Sequence, residues 1–111
     1  IAAPGNVLRL GPYCGAPTEH VEIAYGQGIC GQAAQNESVF LIPDVTQEQN
    51  YLSCSINVKS EIVLPVFLDK RFVAELDIDS HTPNAFTESD QMFLEQVCEL
   101  VAPLFKQLSV T

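Results

Sequence analysis

Cys30 and Cys54 are the residues of this chain best placed to do chemistry, and the chemistry is that of a thiol. Cys30 sits in Tyr25-Gly26-Gln27-Gly28-Ile29-Cys30-Gly31, and Cys54 in Tyr51-Leu52-Ser53-Cys54-Ser55. A cysteine that serves only packing is usually buried like a small hydrophobe. These two fall instead in polar Gly- or Ser-rich segments, where a thiolate can form and react. The turn before Cys30 leads into a short helix, so its thiol is expected at a helix N-terminus, where the dipole lowers a thiol pKa. Around Cys54, the hydroxyls of Ser53 and Ser55 and the ammonium of Lys59 would stabilise a thiolate.

Carboxylates are the second signal. In Glu75-Leu76-Asp77-Ile78-Asp79 the acids recur at i, i+2 and i+4, which is one face of a strand. Glu61 opens the apolar run before them. Most polar strand faces simply meet water. Here only Lys59, Lys70 and Arg71 are at hand to neutralise the acids, so repulsion is expected to raise at least one pKa and keep a proton available near neutrality. The same groups would hold an ammonium.

The elements that must position these groups follow from periodicity. Residues 6–13 and 21–25 alternate and read as strands, with a turn at 14–17 between them. Residues 26–31 are a glycine-rich turn, 32–35 a short helix, and 39–42 a brief strand. A polar stretch over 43–57 has room for one helical turn, and loops of this length tend to be functional or disordered. Residues 61–68 and 72–79 are β-branched and aromatic, and Asp69-Lys70-Arg71 joins them as a hairpin. The last element is a helix capped by Thr87 and Asp90, with Phe93, Val97, Leu100, Val101, Leu104 and Leu108 on one face and a break near Pro103. Cys98, beside that stripe, reads as a core thiol. The sum is a single α+β domain over residues 1–111, an antiparallel sheet flanked by helices.

Composition narrows the function. Fourteen acids against five bases give a net charge of −9, which repels phosphate backbones and anionic lipid, so neither nucleic acid nor membrane is expected as a partner. No apolar run approaches the roughly 18 residues of a membrane span. The expected compartment is the reducing cytoplasm, where cysteines are more often catalytic, redox-active or metal-binding than structural bridges. Gly26-Gln27-Gly28-Ile29-Cys30-Gly31 matches a dinucleotide fingerprint, but its helix is too short for the crossover of a βαβ unit. Two histidines and four cysteines have no paired ligand spacing, so no metal site is expected. No G-x-S-x-G elbow supports a serine hydrolase.

Taken together, Gly11-Pro12-Tyr13, Gly26-x-Gly28-Ile29-Cys30-Gly31, Pro43-Asp44-Val45, the Cys54 loop, Ser60-Glu61-Ile62-Val63-Leu64-Pro65 and Leu76-Asp77-Ile78-Asp79-Ser80 resemble the GAF-domain free methionine-(R)-sulfoxide reductases. The resemblance runs over residues 7–104 and rests on the order and spacing of these motifs. It implies a GAF fold, with Cys54 attacking the sulfoxide, Cys30 resolving the product as a disulfide, and Glu61, Asp77 and Asp79 lining the substrate pocket. Many members carry a third cysteine where this chain has His20, so the likeness is to a two-cysteine subgroup. What Cys14 does is left open. The family also has an upstream helix and a Trp/Tyr-bearing strand that close the pocket. This chain opens on Ile1 without a Trp and is expected to lack that segment.

The implied partners are free methionine sulfoxide and thioredoxin or a similar dithiol, with no organic cofactor or metal required. A homodimer is compatible with the reading. The alternative is a small-molecule-binding GAF sensor domain of a signalling protein, without catalysis. A purely structural dimerisation domain is a third class, and would leave the cysteines without purpose.

Overall fold

The computed structural model describes residues 1–51 and 57–107. In chain order its elements are β1 (Ala2–Ala3), β2 (Val7–Arg9), β3 (Glu22–Ala24), α1 (Gly28–Asn36), β4 (Phe40–Ile42), β5 (Ser60–Leu68), β6 (Arg71–Ser80) and α2 (Glu88–Val101). A 3₁₀ turn covers Val45–Gln47 in the long polar loop, and another, Ala102–Gln107, continues from α2. The strands form two antiparallel sheets of three, ordered β1-β2-β3 and β4-β5-β6.

The β5–β6 hairpin is the frame. Its two-residue turn places Asp69 and Lys70 at φ 53° and 66°, the left-handed pair whose twist matches the flanking strands. Pro65 has no N–H to give, yet it sits in the middle of β5 without harm. β4 pairs only with Glu61, Ile62 and Val63 and does not reach it. Alternation then splits the hairpin's side chains between two layers. Ile62, Leu64 and Val66 pack with Cys98 and Ala102 of the C-terminal helical segment, while Val63 packs with Ile29 and Ala33 of α1. Helices thus cover both faces.

Three expectations are corrected here. The strand expected over residues 6–13 forms only at Val7–Arg9, with one more backbone hydrogen bond from Leu10 N–H to the Val21 carbonyl, and the helix expected at 32–35 begins earlier, at Gly28. Most of the apolar stripe expected on the last helix also faces the other way, although its Val101 packs on the sheet and its Leu108 lies outside the described residues. The side chains packed on the sheet are Leu94, Cys98, Val101, Ala102 and Phe105, whereas Phe93, Leu100 and Leu104 are 64%, 78% and 74% exposed. The helix is apolar on two sides, and periodicity alone selected mostly the outer one. The Thr87–Asp90 capping box and the burial of Cys98 are as expected. No helix among the described residues is long and apolar enough to cross a membrane.

Candidate active site

α1 begins after a turn that only glycine makes easily. Gly28 lies at φ +65°, and a Cβ on Gly31 would stand 2.5 Å from the carbonyl oxygen of Ala24. This close approach seats the helix on β3 and turns Cys30 toward the acidic face of β6. The N-terminus of α1 has no cap of its own. Asn50, from the long loop, supplies one: its Oδ1 accepts from the N–H of Gly28 at 2.9 Å, and its Nδ2 donates to the carbonyl of Gly26 at 2.8 Å. Gln32 closes the clamp by donating to the Asn50 carbonyl at 3.1 Å. No local motif signalled this, because the capping residue lies 22 positions away. Asn50→Ala is expected to destabilise the fold by about 1–2 kcal/mol, a fall in Tm of roughly 5 °C or more by calorimetry.

The acids come from the hairpin. Register pairs Glu61 with Asp79, Val63 with Asp77, and Pro65 with Glu75, so Glu61, Glu75, Asp77 and Asp79 all lie on the α1 face. Like charges directly opposite one another are unfavourable, and protons relieve them. Glu61 is only 3% exposed, and its Oε1 has no hydrogen-bond partner among the described residues. Burial first, then hydrogen bonding with and repulsion by Asp77 and Asp79, push its pKa up to about 12. Glu75 is raised to about 8, by burial and then by Asp77. Two neutral acids therefore stand in this wall near pH 7, as the clustering implied. Glu75 was not among the expected site residues, although its place at i−2 from Asp77 was the available signal.

Cys30 meets these acids directly. Its thiol donates to Asp77 Oδ2 at 3.0 Å, and the ligand atoms of Cys30, Glu61 and Asp77 lie within 4.8 Å of one another. The expected lowering of its pKa is not found. Burial pushes the thiol up, and Asp77, Glu75 and Glu61 push it further. A helix end is worth about 0.3–1 kcal/mol to a thiolate, too little against desolvation and three acids. Cys30 is held as a thiol with an acceptor waiting for its proton. Cys54 lies outside the described residues.

The wall opens on a cavity of about 620 Å³, within the ~300–1,000 Å³ of small-molecule sites. Cys30, Glu61, Asp77 and Asp79 all line it, as do Cys14 and His20 from the loop between β2 and β3.

With this geometry in place, similarity to known proteins can be read. The GAF domain family matches residues 10–103. GAF domain-containing protein A of Dictyostelium discoideum is 38% identical over 96 residues, 86% of this chain and 60% of that protein. The free methionine-R-sulfoxide reductase of Escherichia coli is 38% identical over 106 residues, 96% of this chain and 62% of its own length. The solved type II free methionine-R-sulfoxide reductase of Thermoplasma acidophilum superposes with a TM-score of 0.93 at 34% identity, over 99% of this chain and 77% of that one. The chain spans about three fifths of the length of the curated relatives it matches.

Proposed function

The chain belongs to the GAF domain family, and from that premise we propose that it reduces free methionine-(R)-sulfoxide to methionine by thiol chemistry. One observation carries this reading. A cavity large enough for a free amino acid has a thiol, a buried protonated acid and further carboxylates on a single wall. The reductases among its relatives supply the reaction class.

The Cys54 thiolate attacks the sulfoxide sulfur, while the carboxylic acid of Glu61 gives its proton to the sulfoxide oxygen. Methionine leaves with its sulfur reduced by two electrons, and Cys54 is left as a sulfenic acid. Cys30 then attacks that sulfenic sulfur. Its proton passes by way of Asp77 to the sulfenic hydroxyl, which departs as water, and a Cys30–Cys54 disulfide forms. Thioredoxin or another dithiol, itself oxidised, restores both thiols. A thiol held neutral until its partner is oxidised suits the resolving step, since a standing thiolate would be open to oxidation. Asp77 and Asp79 are assigned to the substrate ammonium, which favours the free amino acid over a peptide-bound residue. The cycle uses no organic cofactor or metal and needs a reducing compartment such as the cytoplasm.

Incubation with free methionine-(R)-sulfoxide and dithiothreitol is expected to release methionine, with the (S) epimer and peptide-bound sulfoxide left intact. Tight binding of another small molecule without turnover would replace this reading with the sensor.

A homodimer is proposed on the exposed stripe of Phe93, Leu100 and Leu104, since patches of this kind mark association surfaces. Sedimentation equilibrium should show a dimer, and Leu100→Glu should shift its dissociation constant upward by about 100-fold. A wild-type monomer at high concentration removes this part.

A further inference from the structure

We propose that Cys30, Glu61 and Asp77 form a site for one borderline divalent cation such as zinc, bound by a thiolate and two carboxylates with a fourth position open to the cavity. Each ligand comes from a different element: Cys30 from α1, Glu61 from β5 and Asp77 from β6. This is why no paired cysteine or histidine spacing announced it. Their ligand atoms already lie within 4.8 Å of one another, and Cys30 Sγ is 3.0 Å from Asp77 Oδ2. Around tetrahedral zinc, bonds of about 2.0–2.3 Å set ligand atoms roughly 3.3–3.6 Å apart, so the set closes on the ion by about 1 Å.

The second observation is Glu61 itself. It is 97% buried on a wall of the cavity, and its Oε1 accepts no hydrogen bond from any described residue. A buried acceptor without a donor is unfavourable, and a cation at this point supplies what is missing. Among the described residues no cationic side chain pairs with Glu61 or Asp77. Asp77 is exposed, which gives the ion a route in from solvent.

Donor chemistry selects the ion. One sulfur with two carboxylate oxygens suits zinc and its first-row neighbours. Calcium asks for six to eight oxygens, and magnesium keeps octahedral water. Cys30 binds as the thiolate and Glu61 as the carboxylate, both protons released to solvent. The ion is no cofactor of the sulfur chemistry. It occupies the resolving thiol, the proton donor Glu61 and one of the two acids that would hold the substrate, so it blocks turnover reversibly, a consequence that rests on the reductase reading.

Cobalt(II) titration of the reduced, metal-free chain is the test. A thiolate-to-cobalt charge-transfer band in the near ultraviolet should rise to one equivalent, collapse on addition of zinc, and vanish with a chelator. Cys30→Ser should lose the band while keeping its far-ultraviolet circular dichroism; Asp77→Asn, altered at an exposed side chain, should bind at least about tenfold more weakly. Cys14→Ser and Cys98→Ser should keep the band. Its absence from the wild type, or its survival in Cys30→Ser, overturns the site. A chain that binds cobalt in this way but never turns over sulfoxide keeps the site and removes the reductase. A zinc-loaded chain that turns over at the metal-free rate removes the blocking role.

Discussion

Cys54→Ser will release no methionine from free methionine-(R)-sulfoxide, a loss of at least about 10³-fold against wild type, while Cys30→Ser will stop one step later. Without added reductant, both the wild type and Cys30→Ser should yield one equivalent of methionine per chain. They differ in what remains. The wild type ends as a disulfide, whereas Cys30→Ser retains a sulfenic acid that a dimedone-type probe captures. Thioredoxin-driven turnover of Cys30→Ser should fall by roughly 10²-fold, because no disulfide forms for the dithiol to attack. The pair separates the two sulfurs by chemistry rather than position. A wild-type chain that accumulates the sulfenic acid would show that Cys30 does not resolve it. Turnover that persists in Cys54→Ser would send the search for the nucleophile to Cys14, which lines the cavity together with Cys30.

Glu61→Gln separates catalysis from stability. The amide keeps the shape and neutrality of the protonated acid but has no proton to give, so kcat/KM should fall by about 10²–10³-fold. Stability should change little at pH 5 and improve over the wild type as pH rises. Folded Glu61 and Glu75 hold protons to about pH 12 and about pH 8, while the unfolded chain releases them above its ordinary value of 4.5. The folded state therefore binds more protons through this window. Its stabilisation is complete below pH 4.5 and lost as pH climbs, at up to about 1.4 kcal/mol per pH unit for each proton retained. Denaturant midpoints at pH 5, 7 and 9 should decline for the wild type and less steeply for Glu61→Gln, in which Glu75 still titrates. A wild-type midpoint that rises over this range is incompatible with the buried protonated acid.

The α2 stripe shows how far pattern goes. Phe93, Leu100 and Leu104 repeat at helical spacing, as do Leu94, Cys98, Val101 and Phe105. A helix apolar on two sides offers no internal reason to choose between them. The sheet chooses, because Leu94 and Cys98 meet Ile62 and Leu64. Asn50 marks a similar limit. Its caps are satisfied across 22 and 24 residues, and no short-range rule connects them.

Cys30 marks a limit of another kind. Its place near a helix N-terminus was legible, and the sign inferred from that place was wrong. A dipole argument is local, whereas burial and the three carboxylates that raise its pKa are set by packing across the hairpin.

By itself the sequence determined the local matters: the β5–β6 hairpin from its β-branched runs, the capping box from Thr87 and Asp90, and the common face of Glu75, Asp77 and Asp79 from a period of two. Each follows from interactions within a few residues, where covalent spacing dictates geometry. Tertiary structure alone decided which acids are buried enough to keep a proton, and that Cys30 from one helix meets Glu61 and Asp77 from two strands. Burial and Coulomb repulsion depend on distance through space. That distance does not exist until the chain has folded.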